Sequence, residues 1–255
     1  MSLRPTMCAA TKLLLVAAAL AVASTAHAAE IKVIAANALK EGYAEVVSAF
    51  ERSSGHKVAT TWAGTVNATK RVSDGELYDL VIIGSDNIDQ LIKAGKLAAR
   101  SRADFAKTGV AIAVRAGLPK PDVSTADGVK AAVLAAKSVA YSAGPSGAYV
   151  GELLKKMGIA EQIASRIKQP SSGAEVAAML ARGEVDFGFA QASEFLNVPG
   201  LVNLGPLPAS IQNYTIYAAG LHAAAPSPDA AKALVNHLKA PEAATAIRKM
   251  GMEPG

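Results

Sequence analysis

Short apolar segments alternate with amphipathic segments in the first part of this chain, and this order most constrains the fold. Segments typical of strands lie at residues 31–36, 57–62 and 80–83. Segments with helical spacing follow at residues 39–54, 66–74 and 87–94. The third strand segment is apolar at every position, which suits a parallel sheet covered on both faces. The order therefore predicts an α/β fold built on a parallel sheet.

A predicted strand at residues 110–114 leads into a proline-bearing stretch at residues 117–121, after which a second series of strands and helices begins. The predicted strands that follow are residues 138–141, 186–190 and 214–219, and the predicted helices are residues 125–136, 147–157 and 175–182, with residues 228–238 and 241–249 at the end of the chain. The final helices need a sheet to cover, so we expect the second unit to be inserted in the first. The predicted division is lobe 1 at residues 29–112 and 216–255, and lobe 2 at residues 113–215. Two crossing strands near Val114 and Tyr214 are expected to form the hinge.

The first 28 residues have the pattern of a secretory signal peptide. Arg4 and Lys12 precede an apolar run at residues 13–23, and the run is followed by Ala26-His27-Ala28. A membrane anchor is the alternative, but a spanning helix needs roughly 20 apolar residues. We therefore expect cleavage near Ala28 and an exported, periplasmic protein.

Composition excludes several classes of function. The only cysteine is Cys8, inside the predicted signal peptide, so no disulfide is expected afterwards. The formal net charge of +5 and the 5% of aromatic residues do not suggest nucleic-acid binding. His56, His222 and His237 lie far apart and lack a metal-ligand spacing. We expect no nucleic-acid partner, no metal and no cofactor.

Small polar residues and glycines stand where predicted strands lead into helices. In open α/β sheets, ligands bind beyond the carboxyl ends of the strands, and helix N-termini there favour anions. The candidates are Asn37, Ala38, Thr65, Val66, Ser85, Ser142, Ser146, Gly147 and Tyr149. Each polar candidate has an alternative interpretation as an ordinary helix N-cap. Their convergence between two lobes would form a site for a small anionic ligand.

Five segments resemble periplasmic binding proteins of the molybdate-binding type, which serve ABC importers. These segments are residues 33–39 (VIAANAL), 50–58 (FERSSGHKV), 78–86 (YDLVIIGSD), 145–149 (PSGAY) and 182–188 (RGEVDFG). The resemblance covers most of the chain after the predicted signal peptide. It implies a two-lobed type 2 periplasmic binding fold, in which each lobe is a central sheet flanked by helices. The lobes would be joined by a two-strand hinge and would close on a ligand without catalysis.

The resemblance also implies roles for single residues. Thr65 falls where the family has a ligand-binding serine, and Ser146 falls at a backbone donor. Ala38 replaces another ligand serine, with Asn37 beside it, and Gln191 replaces a tyrosine. Asn37 and Gln191 both donate and accept hydrogen bonds, which suits a ligand with mixed groups such as a small organic acid. A further donor is expected from residues 172–176.

The sequence thus predicts a monomeric, exported solute-binding protein of an ABC importer. It would capture a small anion, either an oxyanion such as molybdate or a small organic carboxylate, and present it to a permease in the inner membrane. Sensing or adhesion on the same fold remains an alternative. An enzyme is a further alternative, against which the sequence shows no nucleophile with a placed base and no carboxylate pair.

Overall fold

The structure is a computed structural model, and it describes residues 28–255. The predicted signal peptide lies outside the described residues, apart from Ala28. None of the helices in this described part is both long enough and apolar enough to cross a membrane.

Ten strands and nine α-helices make up the described chain, together with short 3₁₀ turns. The strands are β1 (Glu30–Ala36), β2 (Lys57–Ala63), β3 (Leu80–Gly84), β4 (Ala103–Arg115), β5 (Val139–Tyr141), β6 (Ile167–Lys168), β7 (Phe187–Gln191), β8 (Leu201–Pro206), β9 (Tyr214–Leu221) and β10 (Glu253–Pro254). The helices are α1 (Lys40–Ser54), α2 (Thr65–Ser73), α3 (Ser85–Lys93), α4 (Ala126–Ala135), α5 (Pro145–Lys156), α6 (Ala160–Ile163), α7 (Gly173–Ala181), α8 (Pro228–Lys239) and α9 (Ala244–Lys249). The 3₁₀ turns are Asn37–Leu39, Ala164–Arg166, Ala192–Phe195, Ala209–Ile211 and Pro241–Ala243.

The first half of the sheet has the strand order β2-β1-β3-β9-β4. Strand β1 is parallel to both β2 and β3, whereas β9 runs antiparallel to β3 and β4. The parallel strands are linked by α1 and α2, as the alternating sequence pattern predicts. Their carboxyl ends therefore meet at one edge, and the following helices begin there.

Strand β4 continues from this half of the sheet into the other half. Its residues up to Gly109 pair with β9, and its residues from Val110 pair with β7 and β8. Strand β5 is parallel to β7 and β6. At the change of partner, the Gln212 side chain accepts from Val110 N at 2.9 Å and donates to Val110 O at 3.0 Å. This side chain satisfies both backbone groups of Val110.

Buried apolar side chains form separate cores on the two halves. One core draws on residues between Ile31 and Ala106 and between Tyr217 and Met252. The other half contains two clusters, which draw on residues between Val110 and Leu207. We call these halves lobe 1 and lobe 2. The predicted boundaries at residues 112/113 and 215/216 stay a prediction.

Several local predictions match the observed elements. Gly55 follows α1 with a φ of 75°, the left-handed conformation expected of a C-terminal glycine. The spacing predicts that Leu39, Tyr43, Val46, Val47 and Phe50 share one apolar face, and all of them are buried except Val47, which is half-buried. The helix is kinked at its start, because Glu41 and Gly42 have non-helical backbone angles.

Other local predictions are incomplete. The first half of β4 was not anticipated, because residues 103–109 mix charged and small side chains instead of forming an apolar run. The predicted helix at residues 241–249 is a 3₁₀ turn followed by the shorter α9. Strands β6, β8 and β10 are short or half-exposed and carry little periodic signal.

Candidate functional site

Four helical segments begin around one small cavity between the lobes. Two start points come from lobe 1, at Asn37 and at Thr65. Two come from lobe 2, at Pro145 and at Gly173. The first N–H groups of a helix have no partner within the helix, and they carry its partial positive charge. Three of these starts therefore offer N–H groups to a shared space, whereas at the start of α7 Ala174 N donates to Glu194 Oε1 and Glu175 N donates to Ser172 Oγ.

The small cavity has a volume of about 20 Å³, which is room for about one water molecule. Its lining residues are Ala36, Asn37, Ala38, Gly64, Thr65, Ser142, Gly144, Pro145, Ser146, Ser171, Ser172, Gly173, Gln191, Glu194 and Tyr217. This lining contains neither lysine nor arginine within residues 28–255. An anion would thus be held by neutral donors and by helix N-termini, provided that the lobes separate slightly to admit it.

A larger cavity of about 430 Å³ adjoins the small one, and Gly144 and Pro145 line both. Its other walls come from α2 and α3 of lobe 1, from the start of α5 and from residues 213–216. Val66, Tyr214 and Ile216 give it exposed apolar surface. A ligand held by one end in the small cavity therefore has space for a second group here.

The two lobes touch across this cleft. The backbone of Gly64 approaches Ser172 so closely that a Cβ atom, if Gly64 had one, would lie 3.0 Å from the Cβ of Ser172. A Cβ atom on Gly84 would lie 3.3 Å from Cγ of Pro145. Each close approach joins a helix start of lobe 1 to one of lobe 2, so the lobes are in contact at the positions where these helices begin.

Eight of the ten candidate residues from the sequence line the two cavities. Asn37, Ala38, Thr65, Ser142, Ser146 and Gln191 line the small cavity, and Val66 and Ser85 line the large one. Thr65, Ser142, Ser146 and Gln191 are buried polar residues. The predicted donor loop at residues 172–176 contributes Ser172 and Gly173. Their part in ligand binding stays a proposal.

Gly147 and Tyr149 lie outside the lining of both cavities. A Cβ atom on Gly147 would overlap Ser142 O, so this glycine lets α5 pack against the preceding loop. The Tyr149 hydroxyl donates to Ile211 O at 2.7 Å, and its ring packs on the lobe 2 core. Because α5 turns by about 100° per residue, only its first residues face the cleft.

Gln191 connects the cavity to the crossing strands. Its side chain is 2% exposed, and Nε2 donates to Thr215 Oγ1 at 2.6 Å. The side chains of Gln191 and Glu194 also form a capping box at the start of the 3₁₀ turn Ala192–Phe195. Nε2 carries two N–H groups, so one remains to donate to an anion in the cavity that Gln191 lines.

Glu194 is the one carboxylate in the small cavity's lining within the described chain, and the sequence analysis missed it. Its Oε1 accepts from Ala174 N at 3.0 Å, and its Oε2 accepts from Gln191 N at 3.3 Å. A Cβ atom on Gly173 would overlap Oε2, so only glycine leaves room for this carboxylate at the start of α7. The residue keeps some exposed surface, whereas its carboxyl group is closely surrounded by protein.

Burial raises the pKa of Glu194 to about 7, although hydrogen bonds from Gln191 N and Ala174 N oppose the rise. Burial also raises the pKa of Tyr217 well above its ordinary value, and the Glu194 charge adds to that effect. Near neutral pH, Glu194 can therefore hold or release a proton inside the cleft, while Tyr217 stays protonated.

The signal that could have found Glu194 is its position three residues after Gln191, at the end of a fully buried strand. Acidic residues at this spacing often cap a helical turn, so the pattern has an ordinary structural reading too. Tyr217 gives no local signal, because an aromatic residue in a strand usually belongs to the core.

The histidines do not contribute to the cleft. His56 accepts a hydrogen bond from Ala29 N, His222 accepts one from Ala224 N, and His237 packs against Phe50. In residues 28–255, no group of three or more histidine, cysteine, aspartate or glutamate side chains is placed to hold a metal ion.

Residues 31–253 match the family model described as bacterial extracellular solute-binding protein. The chain belongs to this family. The molybdate-binding-type resemblance of the five sequence segments is thereby confirmed, because a curated molybdate-binding protein of the same type is also similar to the chain.

Two curated relatives are similar over most of their length. An aconitate isomerase of Pseudomonas sp. is 34% identical over 216 residues, which cover 82% of this chain and 82% of the relative. The molybdate-binding protein ModA of Azotobacter vinelandii is 26% identical over 236 residues, which cover 90% of this chain and 92% of that relative. The chain is therefore a solute-binding protein of the type that includes ModA.

A solved structure shows the same fold. The periplasmic molybdate-binding protein of Azotobacter vinelandii superposes with a TM-score of 0.73 at 19% identity, covering 87% of this chain and 98% of that protein. The predicted fold class is confirmed: a mixed α/β type 2 periplasmic binding fold with a curled sheet flanked by helices. The solved relatives are periplasmic binding proteins, which implies export for proteins of this kind.

Proposed function

We propose that this protein captures a small organic carboxylate in the cleft between its lobes and releases it unchanged. The observation that carries this proposal is the small cavity, where four helix starts and the neutral donors Thr65, Ser146 and Gln191 surround a shared space. Aligned neutral donors in a dry cleft stabilise an anion without a paired charge.

Two features favour a carboxylate over a tetrahedral oxyanion such as molybdate. Asn37 and Gln191 stand in the lining as amides that both donate and accept. The large cavity offers room for a ligand longer than a single oxyanion. The relative named aconitate isomerase is consistent with a ligand that carries carboxylates.

The wider role we propose is import. The chain would be exported by a signal peptide cleaved near Ala28, would act in the periplasm as a monomer, and would deliver its ligand to an ABC permease in the inner membrane. Mass spectrometry of the protein from a periplasmic fraction should give an N-terminus at or near Ala29. Deleting the gene should abolish uptake of the radiolabelled ligand while leaving the permease in place, whereas a purely sensory or adhesive role would leave uptake intact.

Thermal unfolding in the presence of candidate anions tests the ligand class. We would compare cis-aconitate, trans-aconitate and citrate with molybdate, sulfate and phosphate at equal ionic strength. A ligand present at 100 times its Kd stabilises the native state by about 2.7 kcal/mol. We expect the carboxylates to raise Tm and the inorganic oxyanions to raise it less. A larger shift with molybdate than with every carboxylate would overturn the proposed ligand class.

A second candidate function is isomerisation of an unsaturated carboxylate by proton transfer. Two observations favour it: the 34% identity to the relative named aconitate isomerase, and the buried Glu194 carboxyl in the cleft. Moving a double bond by removing a proton from one carbon and returning it to another needs a group that titrates near the working pH. Incubating the pure protein with trans-aconitate and following the NMR spectrum separates the functions. Unchanged substrate supports capture, and a cis product supports isomerisation.

A further inference from the structure

We infer that Glu194 holds the bound anion as an uncharged carboxylic acid, so that capture of the ligand takes one proton into the cleft. This inference rests on the proposed function, since it concerns the same cavity and a negatively charged ligand. It makes Glu194 a residue that decides specificity, because a carboxylic acid donates a hydrogen bond to a ligand oxygen instead of repelling it.

The geometry places the carboxyl group where an anion would bind. Glu194 lines the small cavity beside the start of α7, and its two oxygens already accept from Ala174 N and Gln191 N. The carboxylate thus occupies helix donors that would otherwise face a ligand. A proton on either oxygen would give the group one O–H donor, while its oxygens could still accept from the two N–H groups.

Within residues 28–255, no lysine, arginine or histidine forms an ion pair with Glu194. Among described elements, the 3₁₀ turn that carries it packs against the turn at Asn37–Leu39 and against α7, β4, β7 and β8. The charged side chains of these elements are Glu175, Arg182 just beyond α7, Asp104, Lys107 and Arg115. Each forms an ion pair elsewhere: Glu175 with Arg182, Asp104 with Arg102, Lys107 with Glu253, and Arg115 with Asp186. Tyr217 of β9 also lines the cavity and is uncharged at neutral pH.

A ligand carboxylate beside an ionised Glu194 would put two negative charges into one cavity that excludes most water. Like charges that share a site raise the pKa of one partner, so one of the two carboxyl groups takes up a proton. Glu194 is the group already disposed to do so, since burial raises its pKa to about 7 before any ligand enters. The second N–H of Gln191 Nε2, besides the one donated to Thr215, is available for a further ligand contact in the same cavity.

Isothermal titration calorimetry tests this coupling. Trans-aconitate, and molybdate in parallel, would be titrated into the wild-type protein and into Glu194→Gln at pH 6, 7 and 8. Each titration would use two buffers with different heats of ionisation, which reports protons taken up per ligand. For the wild type we expect the Kd to rise about tenfold from pH 6 to pH 8. We expect uptake of close to one proton per ligand at pH 8.

Glu194→Gln should bind with a Kd that changes less than about threefold over this range, and its proton uptake should be lower by about one at pH 8. Protons taken up by the ligand itself contribute equally to both proteins, so they cancel when the uptake of Glu194→Gln is subtracted from that of the wild type. Glu175→Gln is the matched control, because Glu175 belongs to α7 and lies outside the cavity lining. It should behave as the wild type does.

The outcomes are distinguishable. The same dependence on pH in the wild type and in Glu194→Gln overturns the inference and leaves the proposed function intact. Binding of neither anion by the wild type overturns the proposed function, and the inference falls with it. If Glu194→Gln does not fold, the wild-type titrations decide, because both anions are fully ionised above about pH 7. An uptake near zero at pH 8 then overturns the inference.

Discussion

Gln191 Nε2 and Thr215 Oγ1 lie 2.6 Å apart, and both side chains are buried. Gln191 ends β7 of lobe 2, whereas Thr215 belongs to β9, which pairs with lobe 1 strands. The two strands meet because β4 pairs with Thr215 through Thr108 and with Gln191 through Val110. The contact therefore couples a residue of the small cavity to the strands that connect the lobes.

Replacing Gln191 by alanine should weaken binding of the captured anion by tenfold or more. The substitution removes the amide group that faces the cavity, and a lost hydrogen bond to a charged group costs about 1.5–3 kcal/mol. Thr215→Val should weaken binding less, since it removes only the partner of that amide. The double variant should bind about as well as Gln191→Ala alone, because the two residues act as one unit. Calorimetric Kd values of the wild type, the two single variants and the double variant form a double-mutant cycle. If the losses of binding free energy in the single variants simply add up in the double variant, the two residues are not coupled.

Thr65→Val should lower affinity while the protein remains folded. Valine preserves the shape of the threonine side chain but cannot donate from the start of α2 into the cavity. Thr69→Val provides the control one turn later in the same helix. The Thr69 hydroxyl is buried and donates to Thr65 O at 2.7 Å, and Thr69 does not line the cavity. We expect Thr69→Val to reduce stability by about 1 kcal/mol and to leave the Kd unchanged. If Thr65→Val and Thr69→Val have the same Kd, Thr65 does not contact the ligand.

Gly173→Ala should destabilise the protein, because the added Cβ overlaps Glu194 Oε2 and forces the carboxylate away from α7. Loss of its hydrogen bonds and local strain together should cost about 2 kcal/mol or more. Gly151→Ala makes the same change inside α5, where the nearest atoms are Tyr141 side-chain carbons and oxygen at 3.8 Å. That control should be neutral or stabilise the protein by up to about 1 kcal/mol. Urea unfolding of both variants measures the contrast, which would vanish if the carboxylate did not occupy this position.

The stability of the ligand-free protein should depend on pH through Glu194. Its folded-state pKa of about 7 lies above the unfolded value of about 4.3. The favourable contribution of the protonated group is therefore complete below the unfolded pKa and is lost as the pH rises through about 7. Between pH 5 and pH 8, the wild type should lose about 2 kcal/mol of unfolding free energy relative to Glu194→Gln. Parallel urea titrations at the two pH values check this, and a constant difference would contradict the raised pKa.

Much of lobe 1 could be predicted from local sequence patterns. The fully apolar run at residues 80–83 predicts a strand covered on both faces, and β3 is buried along its whole length. Thr65 and Ser146 were predicted from their positions at helix starts, and both line the small cavity. The same rule predicts Gly147 and Tyr149, but only Ala148 between them lines a cavity, because successive residues of a helix face different directions. The rule identifies where a helix begins and cannot tell which of its faces meets the cavity.

Local patterns predict most of the strands and helices and the helix starts that follow strand ends, because periodicity and end signals are encoded by neighbouring residues. The position of Glu194 at the start of α7 and the contact of Gln191 with Thr215 arise only when the chain folds. Those contacts join residues about 20 positions apart or more, and they depend on how β4 passes from one half of the sheet to the other. The spacing of Glu194 after Gln191 indicates at most a capped turn, since the burial and the raised pKa of its carboxyl group come from neighbours that are distant in the sequence.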